Sequence, residues 1–420
     1  MSAMQAVVLA AGKGTRMRSE KPKVLHEVLG RTLLDCVLDT LSQAGVRKPV
    51  LVVGAGADQV KRHTAGRVTP VLQSVQRGTG HAVMMTRKAL AGFKGDILIW
   101  PGDMPLVKLE TLKSFIRAHR ENKCDVSVLS SVREDPKSYG RILRANGAFC
   151  GIREELDAAE HEKNIKEVNT GVYLFKSDKL FSSLALIKPE NQKNELYLTD
   201  TIEILDGQGA KVEAFPFAAA EEGQGVNSRV DLAMVMEKLN QREIAAHQAA
   251  GVTFVSPEQT FVAPGVKIGP DTTVYPWCYI EKGVTIGSGC EIGPFAKIRK
   301  GTVLGNGVTV GSFVEVNRSK LGNKVQAKHL AYLGDAIIGD ETNIGAGTIT
   351  ANYDGRNKHV TRIGKKVLVG SDTVFVAPVS VDDFAKTGAG AVVRGRVKKG
   401  EVVVGVPARP IKSLKASKSK

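Results

Sequence analysis

The hydrophobic pattern of this chain changes character near its middle. From Val262 to Val316 an aliphatic residue falls at every sixth position: Val262, Ile268, Val274, Ile280, Ile286, Ile292, Ile298, Leu304, Val310 and Val316. With Val, Ile and Leu at about a quarter of an average chain, such a run arises by chance on the order of once in 10^6. Four residues after each rung stands a small or β-branched residue: Thr272, Cys278, Val284, Cys290, Ala296, Thr302, Val308 and Val314. Gly follows the rung directly at Gly269, Gly287, Gly293, Gly305 and Gly311. This period fits neither a helix nor a half-buried strand and predicts a hexapeptide β-helix. In such a solenoid the aliphatic rungs fill the axis of a triangular coil, small residues fit inside the turn, and Gly relieves it.

The pattern resumes at Ile338, Ile344 and Thr350, and again at Ile363, Val369, Phe375, Val381, Thr387 and Val393. The spacings of 22 between Val316 and Ile338 and of 13 between Thr350 and Ile363 are not multiples of six. Two loops are therefore expected to interrupt the coils, carrying His329, Tyr332, Asn352, Tyr353 and Lys358, residue types better suited to chemistry than to packing.

Before residue 250 the pattern is different. Gln5 to Ala11 reads as a buried strand, and short apolar runs at Val50–Val53, Ile97–Trp100, Val126–Leu129 and Val172–Phe175 alternate with helical patterns at Leu33–Gln43, Ala82–Leu90 and Leu109–Glu121. That alternation predicts βαβ units and a mostly parallel sheet, with ligands at the carboxyl ends of the strands, where Gly12–Arg16 would lie. Between the two regions Arg229 to Ala250 reads as a stiff connecting helix, with Ser228 as N-cap, Asp231 three residues later and Gly251 at its end. The expected division is residues 1–227, a linker over 228–251, a β-helix over 252–411 and a basic tail over 412–420 with Lys412, Lys415, Lys418 and Lys420.

Composition narrows the partners. A formal charge of +16 suits anionic ligands, but with aromatics at 5% and one obvious basic run the charge points to phosphate-bearing small molecules rather than nucleic acid. Five cysteines with no CxxC spacing argue for a reducing compartment and no zinc. No run approaches 18 apolar residues and the first apolar stretch breaks at Gly12, so neither membrane insertion nor a signal peptide is expected.

The turn at Gly12 matches neither the dinucleotide nor the P-loop glycine spacing. Instead the run Leu9-Ala10-Ala11-Gly12-Lys13-Gly14-Thr15-Arg16-Met17, followed by Lys21-Pro22-Lys23, resembles the signature of sugar-phosphate nucleotidylyltransferases. Gln73 with Gly78-Thr79-Gly80-His81, Gly102-Asp103-Met104-Pro105-Leu106, Tyr139-Gly140-Arg141, Glu154, Asn169-Thr170-Gly171 and Glu195 to Asp200 keep that family's order and spacing. With the β-helix behind it, the chain over residues 5–395 resembles the bifunctional family that joins an N-acetylglucosamine-1-phosphate uridylyltransferase to a glucosamine-1-phosphate N-acetyltransferase.

The resemblance implies an α/β fold: a Rossmann-like nucleotidylyltransferase domain, a linker helix and a left-handed parallel β-helix. It implies acetyl transfer from acetyl-CoA to glucosamine-1-phosphate, then uridylyl transfer from UTP with release of pyrophosphate, in a cytoplasmic homotrimer supplying cell-wall precursors. By the same resemblance Leu9, Ala10, Ala11, Gly12 and Gly14 would hold the nucleotide, Arg16 and Lys23 would stabilise charge at the phosphates, and Gln73, Gly78 and Thr79 would read uracil. Gly102 and Asp103 would line the nucleotide site, Gly140, Glu154 and Asn169 would hold the sugar, and Asp103 with Asn227 would coordinate magnesium. In the β-helix His329 would be the base, Arg299, Arg318, Tyr332, Asn343 and Lys358 would hold the sugar phosphate, and Asn352, Tyr353, Ser371 and Ala389 would lie by the acetyl group and coenzyme A. The chain departs from the family at Pro101, at Asn317, where a Lys is expected and Arg318 follows, and in Gly405-Val406-Pro407-Ala408-Arg409-Pro410. A uridylyltransferase with a purely structural β-helix and a basic scaffold without turnover are the competing readings.

Overall fold

A computed structural model describes residues 3–413, and the chain divides into two compact units, Met1–Lys238 and Leu239–Lys420. In the first, the main path of the sheet among the described residues is β1 (Met4–Ala10), β2 (Val50–Val53), β3 (Thr69–Leu72), β4 (Asp96–Pro101), β5 (Val126–Val132), β6 (Glu167–Lys176) and β7 (Val212–Ala218). Their order in space is β7-β5-β6-β4-β1-β2-β3. All neighbours are parallel except β6, which runs antiparallel to both β4 and β5. A hairpin of Arg141–Ala145 and Ala148–Arg153 attaches to β6 through Arg141.

Both faces of this sheet are buried, so its central strands read as unbroken apolar runs rather than alternating ones. Ala6, Val8 and Ala10 pack into one cluster with Leu51, Leu98 and Trp100. Val7 packs into the other with Val50, Val52 and Ile99. The helices Leu33–Gln43 and Leu109–Glu121 form where the pattern predicts them. Between Ala82 and Leu90 the helix instead begins at Thr79, ends at Met84 and continues as a single 3₁₀ turn. Gly80 has no room for a Cβ there, since one would sit 2.4 Å from Ile187 Cδ1.

The division between the units falls inside the helix Arg229–Ala249. Its start is a capping box: Asp231 N–H donates to Ser228 Oγ (3.2 Å) and Ser228 N–H donates to Asp231 Oδ2 (2.8 Å). Its second half covers the open end of the β-helix. Asn240, 4% exposed, donates to Thr260 O (2.7 Å) and accepts from Val262 N–H (2.9 Å). The first coil thus finds partners for backbone groups that no earlier coil can satisfy.

In the second unit every rung from Val262 to Val316 is buried in one continuous cluster. Residues pair in parallel with those one coil ahead, Val274 with Ile292, Ile280 with Ile298 and Ile286 with Leu304, which builds a left-handed parallel β-helix with three faces. The expected loop between Val316 and Ile338 is absent. Leu304 pairs with Leu321, Val316 with Leu333 and Leu321 with Ile338, so the coils continue through two sides shortened to five residues. His329 and Tyr332 accordingly lie on strands, Gln326–His329 and Tyr332–Gly334. Only the second interruption is an insertion, because Ile338 pairs directly with Ile363 and the residues between Ala351 and Thr361 leave the coil.

The glycines after the rungs also act differently from expectation. The left-handed backbone stands three residues after the rung, as at Gly301 (φ 78°). Most glycines directly after a rung face the next coil, as at Gly311, where a Cβ would lie 2.0 Å from Lys328 O, whereas Gly293 is itself left-handed (φ 96°) and lies against Cys278 of the coil before. The last strand runs from Ala408 to Ser413 and takes in Lys412, whereas Lys415, Lys418 and Lys420 lie outside the described residues. Gly311→Ala should therefore force two coils apart and cost about 3 kcal/mol. In scanning calorimetry the transition of the β-helix should fall by roughly 5–10 °C with that of the first unit unmoved; an unshifted transition would contradict the packing argument.

Candidate functional site

In the first unit β1 ends at Ala10, and the chain leaves the sheet through Ala11 and Gly12. Gly14 takes the left-handed conformation (φ 62°), and a Cβ there would meet Lys23 Cβ at 2.9 Å. The loop can close against Lys23 only without a side chain. Thr15–Met17 makes one 3₁₀ turn that buries Met17 and leaves Thr15 and Arg16 exposed. The Lys23 ammonium then donates to the Asp103 carboxylate and to Asn227 Oδ1 (3.1 Å). A carboxylate and an amide oxygen thus converge on one cation from positions 80 and 204 residues away in sequence. Hard oxygen donors of this kind suit magnesium, so the pair fits the ion that the sequence implies.

Beside them is a cavity of ≈ 280 Å³ lined by Leu9, Ala10, Ala11, Gly12, Gln73, Gly78 and Thr79. Gln73 is 2% exposed and its amide donates to Gly78 O (3.2 Å) and meets His81 Nδ1 (3.0 Å). Gly78 (φ 107°) runs so close to Leu196 that a Cβ would lie 2.5 Å from its carbonyl oxygen. Thr79 Oγ1 accepts from Leu198 N–H (3.0 Å). These contacts fix the wall opposite Lys23 before any ligand arrives. Gly102 N–H donates to Leu9 O (2.9 Å), placing Asp103 at the strand end.

Pro101 and Asp103 also line an adjoining cavity of ≈ 470 Å³ with Arg16, Arg133, Tyr139, Thr170, Gln224 and Asn227. Gly140, Glu154 and Asn169 line neither cavity; Tyr139 and Thr170, one residue away from two of them, do. Asn169 is held by its own bonds, donating to Tyr173 Oη (2.7 Å) and accepting from Gly171 N–H (2.9 Å). Burial pushes Glu154 above the usual carboxylate range, and Thr199 Oγ1 donates to it (3.2 Å). Arg133 was not legible in the sequence. Its guanidinium lies 4.4 Å over the Tyr139 ring and donates to Gln224 Oε1 (3.0 Å), but a lone Arg after a strand carries no motif.

In the β-helix the expected acetyl-transfer residues fall on two different edges. Arg299, Arg318, Asn352, Tyr353 and Lys358 stand where the second face turns into the third. Arg318, a corner residue with φ 49°, is gripped by Asp335: Nε to Oδ1 and Nη2 to Oδ2, both 2.7 Å. Its Nη1 donates to Asn317 Oδ1 (3.1 Å), and the Asn352 amide also donates to Asp335. The Arg318 guanidinium holds Asp335 below the usual carboxylate range. Arg299 donates to Glu315 (2.9 Å) and lies 3.6 Å from Glu281. Tyr332, beside Glu315 in the ladder, joins this group. Asp335, Glu315 and Glu281 were not assigned roles from sequence.

His329 stands at the other edge of the same face. It is exposed, pairs with Ser312 of the previous coil and precedes the corner residue Leu330. Ser371 and Ala389 lie along this edge too, with Gly390 N–H donating to Ser371 O (2.8 Å), while Asn343 begins a strand of the first face. Six residues of chain separate His329 from Asp335, a span of up to roughly 20 Å. Within one chain His329 and the two arginines stand at different corners of the β-helix.

Residues 6–190 match the MobA-like NTP transferase domain, and residues 260–293 and 283–318 match the bacterial transferase hexapeptide (six repeats). The chain is 41% identical to "Bifunctional protein GlmU" of Syntrophotalea carbinolica, covering 93% of this chain and 92% of that protein. It is 39% identical to the protein of that name from Streptococcus mutans, covering 95% of each. With the protein of that name from Mycolicibacterium gilvum it shares 40% identity over 100% of this chain and 93% of the relative.

One acid, at the end of the run Glu195 to Asp200, has a measurable signature. Burial, with Glu203, Glu154 and Asp157 adding repulsion, pushes Asp200 up from 3.8 to about 6. The fold is favoured by its proton, so that stability is fully present below 3.8, falls as pH rises to about 6 and stays flat above. Asp200→Asn should stabilise the first unit by about 1–2 kcal/mol above pH ~7, allowing for solvent screening, and by nothing below pH ~4. Urea unfolding at the two pH values checks this, and an equal gain at both would rule out titration as the cause.

Proposed function

The chain belongs to the GlmU family of bifunctional proteins, and from that premise we propose how its two units divide the synthesis of UDP-N-acetylglucosamine. The protein is a uridylyltransferase and an acetyltransferase. In the first unit the Gly12–Thr15 amides wrap the phosphates of UTP, and Gln73, Gly78 and Thr79 hold the base. An oxygen of N-acetylglucosamine-1-phosphate attacks the α-phosphorus in line and pyrophosphate leaves, a reaction governed by positioning and charge. Arg16 and Lys23 stabilise the negative charge that develops, and Asp103 with Asn227 would hold magnesium. When bound, that ion neutralises phosphate charge. The observation that carries this reading is the meeting of Lys23, Asp103 and Asn227 beside the Gly12–Arg16 turn.

In the second unit His329 takes a proton from the sugar ammonium, the free amine attacks the acetyl thioester, and the C–S bond breaks so that coenzyme A leaves as its thiol, taking up a proton. Arg299, Arg318, Tyr332, Asn343 and Lys358 hold the sugar phosphate. Because His329 and the arginines occupy opposite edges of one face, a complete site needs the edge of a neighbouring copy. A closed ring of three such copies makes three equivalent sites, which is the homotrimer. The five cysteines are free, which suits the reducing cytoplasm.

Asp103→Ala should lower UTP-dependent turnover by on the order of 10²–10³-fold while acetylation persists. His329→Ala should lower acetylation by on the order of 10²–10⁴-fold while uridylyl transfer persists. Thiol release from acetyl-CoA with glucosamine-1-phosphate, UTP absent, separates the readings: no release by the wild-type protein leaves a uridylyltransferase on a structural β-helix. A third measurement concerns assembly. His329→Ala and Arg299→Ala proteins, each inactive in acetylation, should regain part of it when co-expressed, since some mixed interfaces carry both intact edges. Absence of recovery in mixed oligomers would mean that each chain builds its own site.

A further inference from the structure

The last thirty residues of the sequence hold nine basic residues and one acidic, half of the chain's formal charge of +16. Arg394, Lys398, Lys399 and Arg409 are exposed on the final coil and the hairpin that closes it. The acids nearby are occupied. Asp382 pairs with Arg396 (2.8 Å), Asp383 accepts from Lys365 N–H (2.9 Å) and Glu401 accepts from Lys398 N–H (2.8 Å). The hairpin, Glu401–Gly405 with Ala408–Ser413, carries two large apolar side chains into solvent: Val406 is 73% exposed at its turn and Ile411 61% exposed on its outer strand.

We propose that this end of the β-helix is a docking surface for an anionic lipid bilayer. Basic heads near a negative surface each add to its attraction, and exposed aliphatic side chains among them enter the headgroup region. Charge alone would suit a polyphosphate equally well, but Val406 and Ile411 gain nothing from one. A single-stranded nucleic acid would call for aromatic faces. Phe384 is the aromatic residue near this end, and the Lys399 ammonium lies 5.6 Å over its ring. Among the described residues no helix is long and apolar enough to cross a membrane, so the docking is peripheral.

The test is co-sedimentation of the full-length protein with vesicles of phosphatidylcholine alone or mixed with phosphatidylglycerol. Binding to the mixed vesicles only, weakened by salt, is the expected result. Arg394→Glu with Lys398→Glu should lower the partition coefficient at least tenfold, and Val406→Ser with Ile411→Ser at least threefold. Both variants should retain uridylyl transfer and the melting temperature of the wild type, so that a folding defect is seen as one. No binding to phosphatidylglycerol vesicles overturns the proposal. So does a Val406/Ile411 variant that binds vesicles as the wild type does, paired with equal binding of single-stranded RNA, which would make this a charge-only surface. Loss of vesicle binding in saturating acetyl-CoA would overturn it too, assigning the basic groups to the cofactor.

Discussion

Nearly every corner of the β-helix holds one residue in the left-handed backbone region, and much of the second unit follows from that condition. Glycine meets it at Gly283, Gly289 and Gly301, but Asp271, Trp277, Phe295, Phe313, Arg318, Leu330 and Asp335 meet it with full side chains at φ between 49° and 63°. Such a conformation costs on the order of 1 kcal/mol per residue, and the buried rungs and ladder bonds offset it. The corner turns its side chain outward. Trp277, Phe295 and Phe313 stack there at 6.3 and 5.0 Å, all largely exposed, and Leu330 continues the column beside His329. One further corner along the coil stand Arg318 and Asp335. The interior therefore sets the spacing of the chemistry: side chains on one edge align by whole coils, and those on neighbouring edges stay a face apart.

The first unit solves a different problem. Its chemistry sits where β1 and β4 end, because only there does a parallel sheet buried on both faces present backbone to solvent. Lys23, Asp103 and Asn227 share one point because Gly14 allows the loop to close onto Lys23 and Gly102 is tied to Leu9. The cation is surrounded by oxygen donors, so positive charge is what this point selects. A divalent ion held there would compete with the ammonium for the same oxygens, which under the proposed roles would leave Lys23 to face the phosphates.

The period-six pattern was legible because a rung must be aliphatic in every coil, and the helices Leu33–Gln43 and Leu109–Glu121 because each lays an apolar stripe on the sheet. The shortened sides at Val316–Leu321 and Leu333–Ile338 were not legible. A five-residue step breaks the count while leaving the rung in place, and an interruption of 22 residues then looks like a loop. The reason for the glycines after the rungs was hidden too, because the coil they face lies seventeen or eighteen residues ahead, as Gly311 and Lys328 illustrate. In the first unit the Leu9–Gly12 and Lys23 stretch that lines the first cavity was legible as a motif, yet Arg133 and Gln224 reach the second cavity from unremarkable sequence. That Tyr139 and Thr170 line the second cavity while Glu154 and Asn169 do not is likewise a product of tertiary packing.

On the roles proposed for the β-helix residues, selectivity at the acetyl site rests with Asp335. Its two oxygens take both forward-facing donors of Arg318 at 2.7 Å, and Glu315 takes Arg299 at 2.9 Å, so neither arginine meets a ligand as an unpaired charge. A bidentate charge-assisted pair contributes about 2–3 kcal/mol, and a ligand anion must match it to share or displace the carboxylate. A dianionic phosphate can, having twice the charge and three oxygens, whereas a neutral sugar or a single carboxylate gains no advantage over Asp335. A lysine at position 317 would have added charge without a fork; Asn317 instead accepts from Arg318 and orients it. The same carboxylate that keeps the arginine occupied also keeps it in place, so under the proposed roles the acceptor would be chosen by its charge before His329 acts on its amine.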